Sequence, residues 1–346
     1  MASLNLSPVD RLLVVAPHPD DETLSSGMLI QSAVAAGATV RVVFATDGDN
    51  NPWPQRWLER RWTIGPMERA RWGQRRRSEA VVALAMLGVS DTQGIRFLGW
   101  PDQGLTDCLM SDDSAVSTLR DEILRFEPTH VVMPALADRH PDHSALRILL
   151  DLALLRAGTD CVRLGYVVHG ENAQDGNLIV LSAADYQQRK CAAMESHASQ
   201  MALSRRRLLA IAARPEYFQM SGAASATPDN TTTLRIAYAR HSSLSRHDLL
   251  LVIATKNETL RFRVPLGSRA WSSDDAAGQE LVIERDVTAL TIMLPRLPVP
   301  LAAAYAKIDR IGPRLVIFDK EPWHEASEVM PQSDETIKRQ AAASPV

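Results

Sequence analysis

The stretch Leu12-Leu13-Val14-Val15-Ala16 runs straight into Pro17-His18-Pro19-Asp20-Asp21-Glu22. An unbroken apolar run of this length, containing β-branched Val14 and Val15, has the signature of a strand buried on both faces. From Asp21 the pattern turns helical and holds through Ala36, so a strand feeds a helix through the loop Pro17 to Asp20. A strand covered on both faces belongs in a parallel sheet, because helical crossovers supply the two apolar covers.

Working outward, the alternation repeats. Val40 to Ala45 reads as a second buried strand, and a helix from about Met67 stops at Leu87-Gly88. Ile95 to Leu98, His130 to Met133 and Val162 to Val168 are further strands, separated by helices at Ala115 to Phe126 and Ser144 to Leu155. A helical stretch from Ala183 to Ala213 follows. The expected fold class is α/β, a Rossmann-like, mostly parallel sheet with helices on both faces. Beyond a Ser/Gly/Ala/Thr/Pro/Asn-rich segment at Ser221 to Thr232 come short strand-like runs: Leu234 to Tyr238, Leu249 to Ile253, Leu260 to Val264, Leu281 to Ile283, Leu290 to Leu294 and Leu315 to Phe318. They predict a small C-terminal β-rich unit. The expected division is a first domain over 1–222, a linker over 223–232, an accessory domain over 233–324 and a flexible tail over 325–346.

Open sheets of this kind bind ligands beyond the carboxyl ends of their strands, so the loops beginning at Pro17, Thr46 and Pro134 should meet in one crevice. The first carries an imidazole and three carboxylates but none of the glycines that a phosphate-cradling turn needs. Its negative charge suits a cation. The third carries Asp138-Arg139-His140-Pro141-Asp142-His143 on the same edge of the expected sheet. His18, Asp21 and His143 would supply two imidazoles and a carboxylate, the donor set with which a catalytic zinc keeps one position open for water. Asp20 is placed to take a proton from that water, and His140 to meet the developing oxyanion. Asp142 is expected to hold the His140 imidazole charged. Taken alone, either loop also reads as a solvated turn whose Asp caps a helix. It is the pairing of the two clusters at strand ends of one sheet that points to a metal.

The 346 residues carry 38 Lys and Arg against 41 Asp and Glu, a formal charge of -3. That balance excludes a global positive field for nucleic acid. Cys108, Cys161 and Cys191 are odd in number and far apart, which fits neither a disulfide framework nor a CxxC knuckle. The polar start at Met1 to Arg11 lacks the basic and apolar segments of a leader, and no run is long enough to span a bilayer. These features predict a cytoplasmic protein without a transmembrane segment.

With these residues in view, the sequence resembles the PIG-L/LmbE-like deacetylases, which remove acetyl from N-acetylglucosamine. Ala16 to Glu22 is similar to the family's (A/P)HPDDE loop, Thr46-Asp47-Gly48-Asp49 to its T-x-G loop and His140 to His143 to its HPDH box. Arg76 to Glu79 with Leu87-Gly88 resembles its RxxE helix, and His197-Ala198-Ser199-Gln200 its HxSQ segment. The resemblance covers about residues 8 to 222. It implies Zn2+, with Fe2+ as another divalent ion such a site accepts, on His18, Asp21 and His143. It further implies Asp20 as general base, His140 assisting the oxyanion with Asp142 as its partner, and substrate contacts from Asp47 and Arg76. For Arg76 the competing reading is a helix-surface cation paired with Glu79. His197 and Gln200 are expected to fix a helix end near the site.

Trp53, Trp57, Trp62 and Trp72 lie among arginines between Asn50 and Arg77, four of the 7 tryptophans in the chain. Indole faces stack on sugar rings and guanidinium forks grip anions, so this segment fits an anionic or lipid-linked saccharide. The alternative is an amphipathic helix with its indoles packed inward. The expected partner is an N-acetylated amino-sugar glycoconjugate, with no nucleic acid and with room for a homo-oligomer. Two rivals stand beside the sugar deacetylase: a metal-dependent hydrolase of a different amide, and a carbohydrate-binding protein with a relict metal site.

Overall fold

In the computed structural model of the chain, the described residues are 4–170, 178–181, 183–221, 233–237, 246–267, 272–274, 280–285, 289–293, 301–312, 318–319 and 323–325. They divide into two compact units, Met1–Ser225 with Gly312–Trp323, and Ala226–Ile311 with His324–Val346. The division differs from the expected one in that Gly312–Trp323 groups with the first unit. A local tie accounts for this: the Asp319 amide donates to the Arg139 carbonyl at 2.8 Å. Of the expected strand Leu315 to Phe318, only Phe318 is among the described residues, and it lies in a bend. The expected linker 223–232 and the tail beyond Glu325 fall outside them.

The sheet of the first unit contains β1 (Arg11–Ala16), β2 (Thr39–Thr46), β3 (Ile95–Trp100), β4 (His130–Pro134), β5 (Val162–Tyr166), β6 (Leu178–Leu181) and β7 (Glu216–Ser221). Their order is β3-β2-β1-β4-β5-β7-β6. The first five are parallel, and β7 runs antiparallel to β5 and β6. The chain therefore builds outward from β1 in one direction and, from β4, in the other. That reversal opens a crevice beyond the carboxyl ends of β1 and β4, where the two metal-type loops emerge.

Eight helices are described: α1 (Asp21–Ala35), α2 (Pro52–Glu59), α3 (Pro66–Met86), α4 (Leu105–Ser111), α5 (Ser114–Phe126), α6 (Pro141–Ala157), α7 (Ala184–Glu195) and α8 (Ala198–Ala212). α1 packs against α7 and α8, whereas α6 packs against α4 and α5. Both α1 and α6 follow directly from the site loops, and both are buried nearly all round. A helix enclosed in this way holds its first turn rigidly.

Several elements escape the sequence reading. α2 lies in the Trp- and Arg-rich segment, where the sequence reading assigns no separate helix, and its Pro52 and Pro54 fall in a first helical turn, where proline is tolerated because the amides have no intrahelical acceptor. The stretch Ala183 to Ala213 is two helices, because His197 leaves the helical conformation to direct its ring inward. β6 and β7 add an antiparallel edge that no crossover pattern announces.

β7 also brings Glu216 under α1, where it forms a fully buried pair with Lys190 at 2.8 Å and accepts from the amides of Met28 and Leu29. Burial pushes the Glu216 carboxyl up, against the pull of Lys190. Lys190→Met is expected to cost about 3–5 kcal/mol, because it leaves Glu216 buried without its cation. Urea unfolding checks this, and a midpoint near wild type would contradict it.

The second unit has two antiparallel four-stranded sheets. One is ordered β10 (Thr259–Pro265), β9 (His247–Ala254), β14 (Ala303–Arg310) and β15 (His324–Glu325). The other is ordered β11 (Ser272–Asp274), β12 (Glu280–Arg285), β13 (Ala289–Met293) and β8 (Thr233–Ala237). Leu251, Ile253 and Phe262 from the first share one apolar core with Ile283, Leu290 and Ile292 from the second. The alanines of β14 give it no strand-like pattern, so only its pairing with β9 marks it as a strand. Among the described residues no helix is long and apolar enough to cross a membrane.

Candidate metal centre and active site

The loop after β1 and the start of α6 bring His18, Asp21 and His143 together. Asp21 Oδ2 lies 3.1 Å from His18 Nδ1 and 3.2 Å from His143 Nε2. Each imidazole has its other nitrogen on a carboxylate. His143 Nδ1 is 3.1 Å from Asp138 Oδ2, and His18 Nε2 is 3.2 Å from both Asp102 Oδ1 and Asp142 Oδ2. A histidine ligand typically shows this arrangement, with one nitrogen at the ion and the other anchored by an acceptor that fixes the ring.

The fit to a cation can be tested on one atom. His143 Nε2 is buried and makes no hydrogen bond among the described residues, although Asp21 stands beside it. Leaving such an atom unpaired is costly unless a ligand takes it. The surrounding charge agrees. Burial disfavours a proton on either imidazole, yet Asp138 and Asp21 push His143 up to about 10, and Asp102, Asp142 and Asp21 hold His18 well above the usual range. The carboxylates demand positive charge here, and a divalent ion would replace those protons. Three overlapping donor groups lie within 4.8 Å: His18 with His140 and His143, Asp21 with His143 and His169, and His18 with Asp102 and Asp142. A cluster of His and Asp consistent with a divalent-metal site is therefore present.

Asp20 stands at φ 143°, a conformation that side chains other than glycine rarely adopt. Its carbonyl accepts from Leu24 at the start of α1, and its amide donates to Glu22 Oε2 at 2.9 Å. Glu22 lies 3.4 Å from His197 Nε2, so the HxSQ histidine steadies the loop at one remove. Burial pushes the Asp20 carboxyl up to about 6, with Arg76 opposing and Asp21 adding to the rise.

Four expected roles meet a different geometry. The Asp142 carboxylate does not hold the ring of His140; it turns to His18 and to the amides of Gln103 and Leu105, at 2.7 and 3.1 Å. The Asp142 backbone amide instead donates to His140 Nδ1 at 3.2 Å, which leaves the proton of a neutral ring on Nε2. Burial and the neighbouring His18, His143 and His169 hold His140 well below the ordinary histidine range, so it is neutral rather than the expected imidazolium.

Arg76 is not free for a substrate hydroxyl or phosphate. It is buried, donates to the carbonyls of Gly48 and Pro19 at 2.7 Å each, and lies 3.1 Å from Asp20 Oδ1. It clamps two catalytic loops together. The carboxylate of Asp47 is likewise taken by Arg77 in a two-pronged pair at 2.7 and 2.6 Å. Glu79 accepts from the Ser199 amide and hydroxyl at the start of α8, which explains the RxxE pattern as a helix anchor.

Asp102, Asp138 and His169 were not among the expected site residues. Asp138 lies five residues before His143 in the same acidic and imidazole-rich loop, a spacing visible in the sequence. Asp102 and His169 reach the site only through the tertiary fold. Of the tryptophans, Trp72 is fully buried, while Trp53, Trp57 and Trp62 are 63%, 67% and 84% exposed.

The chain is similar in sequence and fold to known proteins. Residues 13–154 match the family model PIG-L, described as GlcNAc-PI de-N-acetylase. A 1D-myo-inositol 2-acetamido-2-deoxy-alpha-D-glucopyranoside deacetylase from Mycolicibacterium paratuberculosis is 34% identical over 146 residues, covering 38% of this chain and 47% of the relative. Its counterpart from Mycobacteroides abscessus is 30% identical over 185 residues, covering 49% and 63%. The chain thus spans about half the length of the first of these relatives and under two thirds of the second. Among solved structures, N,N'-diacetylchitobiose deacetylase from Pyrococcus horikoshii aligns with a TM-score of 0.50 at 19% identity, over 62% of this chain and 84% of that one, a likeness of fold.

Proposed function

We propose that this chain, whose residues 13–154 belong to the PIG-L/LmbE-like deacetylase family, is a metal-dependent amidohydrolase that removes the acetyl group from an N-acetylglucosamine-type sugar in a glycoconjugate. The observation that carries the reading is that Asp21 Oδ2 lies 3.1 Å from His18 Nδ1 and 3.2 Å from His143 Nε2, with the buried Asp20 carboxylate on the same loop. His18, Asp21 and His143 would hold the ion, and Zn2+ or Fe2+ both suit two imidazoles and a carboxylate. When bound, the ion supplies Lewis acidity that activates water and polarises the acetyl carbonyl.

The chain's own residues do the rest. Asp20, with a carboxyl pushed up to about 6 by burial, accepts the proton of the attacking water at a carboxylate oxygen and later returns it to the leaving nitrogen. Arg76 keeps that side chain in place, and the Glu22 carboxylate holds the residue by its backbone amide. Neutral His140 donates from Nε2 toward the developing oxyanion, and its Nδ1 bond to the Asp142 amide selects that tautomer. Asp142 and Asp102 orient His18, and Asp138 orients His143.

Acetate release from a panel of N-acetylated sugars and non-sugar amides tests the substrate class. Turnover of the sugars should vanish on chelation and return with zinc. Turnover of the non-sugar amides alone would make this an amidase of another class. Tight glycan binding by metal-replete protein without acetate release would make it a binding protein.

Asp138 provides a separate check on the centre. Asp138→Ala should weaken zinc binding by about 10- to 100-fold, because the His143 ring loses its anchor. Competition with a fluorescent chelator measures this, and unchanged affinity would remove His143 from the ligand set.

A further inference from the structure

Four of the described imidazoles meet at the centre: His18, His140, His143 and His169, with neighbouring ring centroids between 4.8 and 5.6 Å apart. The partner on one nitrogen of each ring sorts them into two kinds. His143 Nδ1 faces Asp138, and His18 Nε2 faces Asp102 and Asp142. A carboxylate accepts a hydrogen bond, so the proton of each neutral ring belongs on the nitrogen facing it, and the bare nitrogen lies on the other side, beside Asp21. These two rings are prepared to hold an ion.

His140 and His169 carry the opposite kind of partner. The Asp142 amide donates to His140 Nδ1 at 3.2 Å, and Arg207 Nη2 lies 3.3 Å from His169 Nδ1. A peptide N–H and a guanidinium donate and never accept, so both Nδ1 atoms are bare and the proton of each ring is on Nε2. Such a ring presents an N–H where a ligand would present a lone pair. His169 therefore stands outside the ligand set, although one of its ring nitrogens lies within 4.8 Å of donor atoms of Asp21 and His143.

The geometry points to His169 as a second hydrogen-bond donor, beside His140, to the acetyl oxygen as it becomes an oxyanion, with Arg207 as the positioning residue that fixes its tautomer. The identity of that oxygen rests on the deacetylase reading. The two ring centroids are 5.5 Å apart, close enough for both N–H groups to reach one oxygen. The backbone of residue 169 is bolted to the loop that carries His140: its amide donates to Asp138 Oδ2 at 3.1 Å, and its carbonyl accepts from the Arg139 amide at 2.9 Å. Asp138 thus holds His169 by the main chain and His143 by the ring. Phe318 stands 5.1 Å from the His169 ring, and the Arg207 guanidinium 5.9 Å from Phe318. A donor fixed before the charge develops needs no reorganisation when it does. Neither imidazole gives up its proton, since Asp20 carries the proton of the attacking water to the leaving nitrogen.

Two measurements test the assignment, and the first does not use turnover. Heteronuclear NMR of the imidazole nitrogens in the zinc-loaded full chain shows which ring nitrogen carries each proton, and the His169 signals are those missing from His169→Gln. The proton of His169 should be on Nε2, as in His140, whereas that of His143 should be on Nδ1. A proton on Nδ1 of His169, or zinc on its Nε2, would overturn the assignment. The second measurement is kinetic. His169→Ala should lower kcat for acetate release by about 10²-fold, the loss that follows removal of one oxyanion donor, with KM, bound zinc and Tm near wild type. His169→Gln keeps an N–H on its side-chain amide and should recover part of that loss. Unchanged kcat, loss of zinc, or a Gln variant no better than Ala would each refute the role. If the wild-type chain releases acetate from no N-acetyl sugar, the deacetylase reading fails, while the tautomers still report whether the four rings divide as described.

Discussion

Acetate release by the Asp20→Asn variant should fall by about 10²- to 10⁴-fold while bound zinc stays at the wild-type ratio. Asn has the shape of Asp and keeps an oxygen for Arg76, which lies 3.1 Å from Asp20 Oδ1. The backbone ties of residue 20, to Glu22 on one side and to Leu24 on the other, do not involve its side chain. What is lost is a carboxylate that can take a proton, in a position where burial lifts its affinity for one. Steady-state kinetics together with metal analysis of the same preparation separate the possibilities. If zinc is lost along with activity, Asp20 is a ligand and the division between base and ligands is wrong. If activity persists near wild type, the proton goes elsewhere.

Gly48→Ala should be nearly as damaging, although residue 48 bears no side chain at the site. Gly48 has φ +62°, and a Cβ there would stand 1.8 Å from Arg76 Nη1 and 2.4 Å from its Cζ. The guanidinium cannot simply swing aside, because it is buried and donates to the Gly48 and Pro19 carbonyls. Displacing it breaks both bonds, strands a buried charge and frees the Asp20 loop. A misplacement of roughly 1 Å at a catalytic group costs about 10²-fold in kcat/KM, and stranding the charge costs about 3–5 kcal/mol of stability. The Arg76→Ala and double variants complete the cycle. Since the damage from Gly48→Ala runs through Arg76, the double variant should be no worse than Arg76→Ala alone. Additive losses would mean that Gly48 matters for another reason.

The parts of the site that were legible in the sequence are those in which chemistry and local pattern coincide. His18, Asp20 and Asp21 sit where an apolar run ends and a helix begins, and His140 to His143 sit in the same relation to another run. Strand-end position and residue type together suffice for such residues. Arg76 shows the limit of that logic. Within Arg75-Arg76-Arg77 nothing in one dimension separates the three, yet Arg75 pairs with Glu79 at the surface, Arg76 is buried between two loops and Arg77 grips Asp47. Helical rotation gives each a different neighbour, and those of Arg76 and Arg77 come from residues 19, 47 and 48.

The sequence by itself determined the α/β order of the first unit, the β-rich character of the second and the two loops that carry metal-binding chemistry, because each is written in a short periodicity or a local cluster of side chains. The tertiary structure alone decided which carboxylate serves which imidazole. Asp142 lies two residues from His140 yet serves His18, across 124 positions, while Asp102 and His169 arrive from loops with no motif of their own. Side-chain direction at a helix start is set by the backbone that follows it, and the chain closes these long separations only when the packed sheet brings its strand ends together.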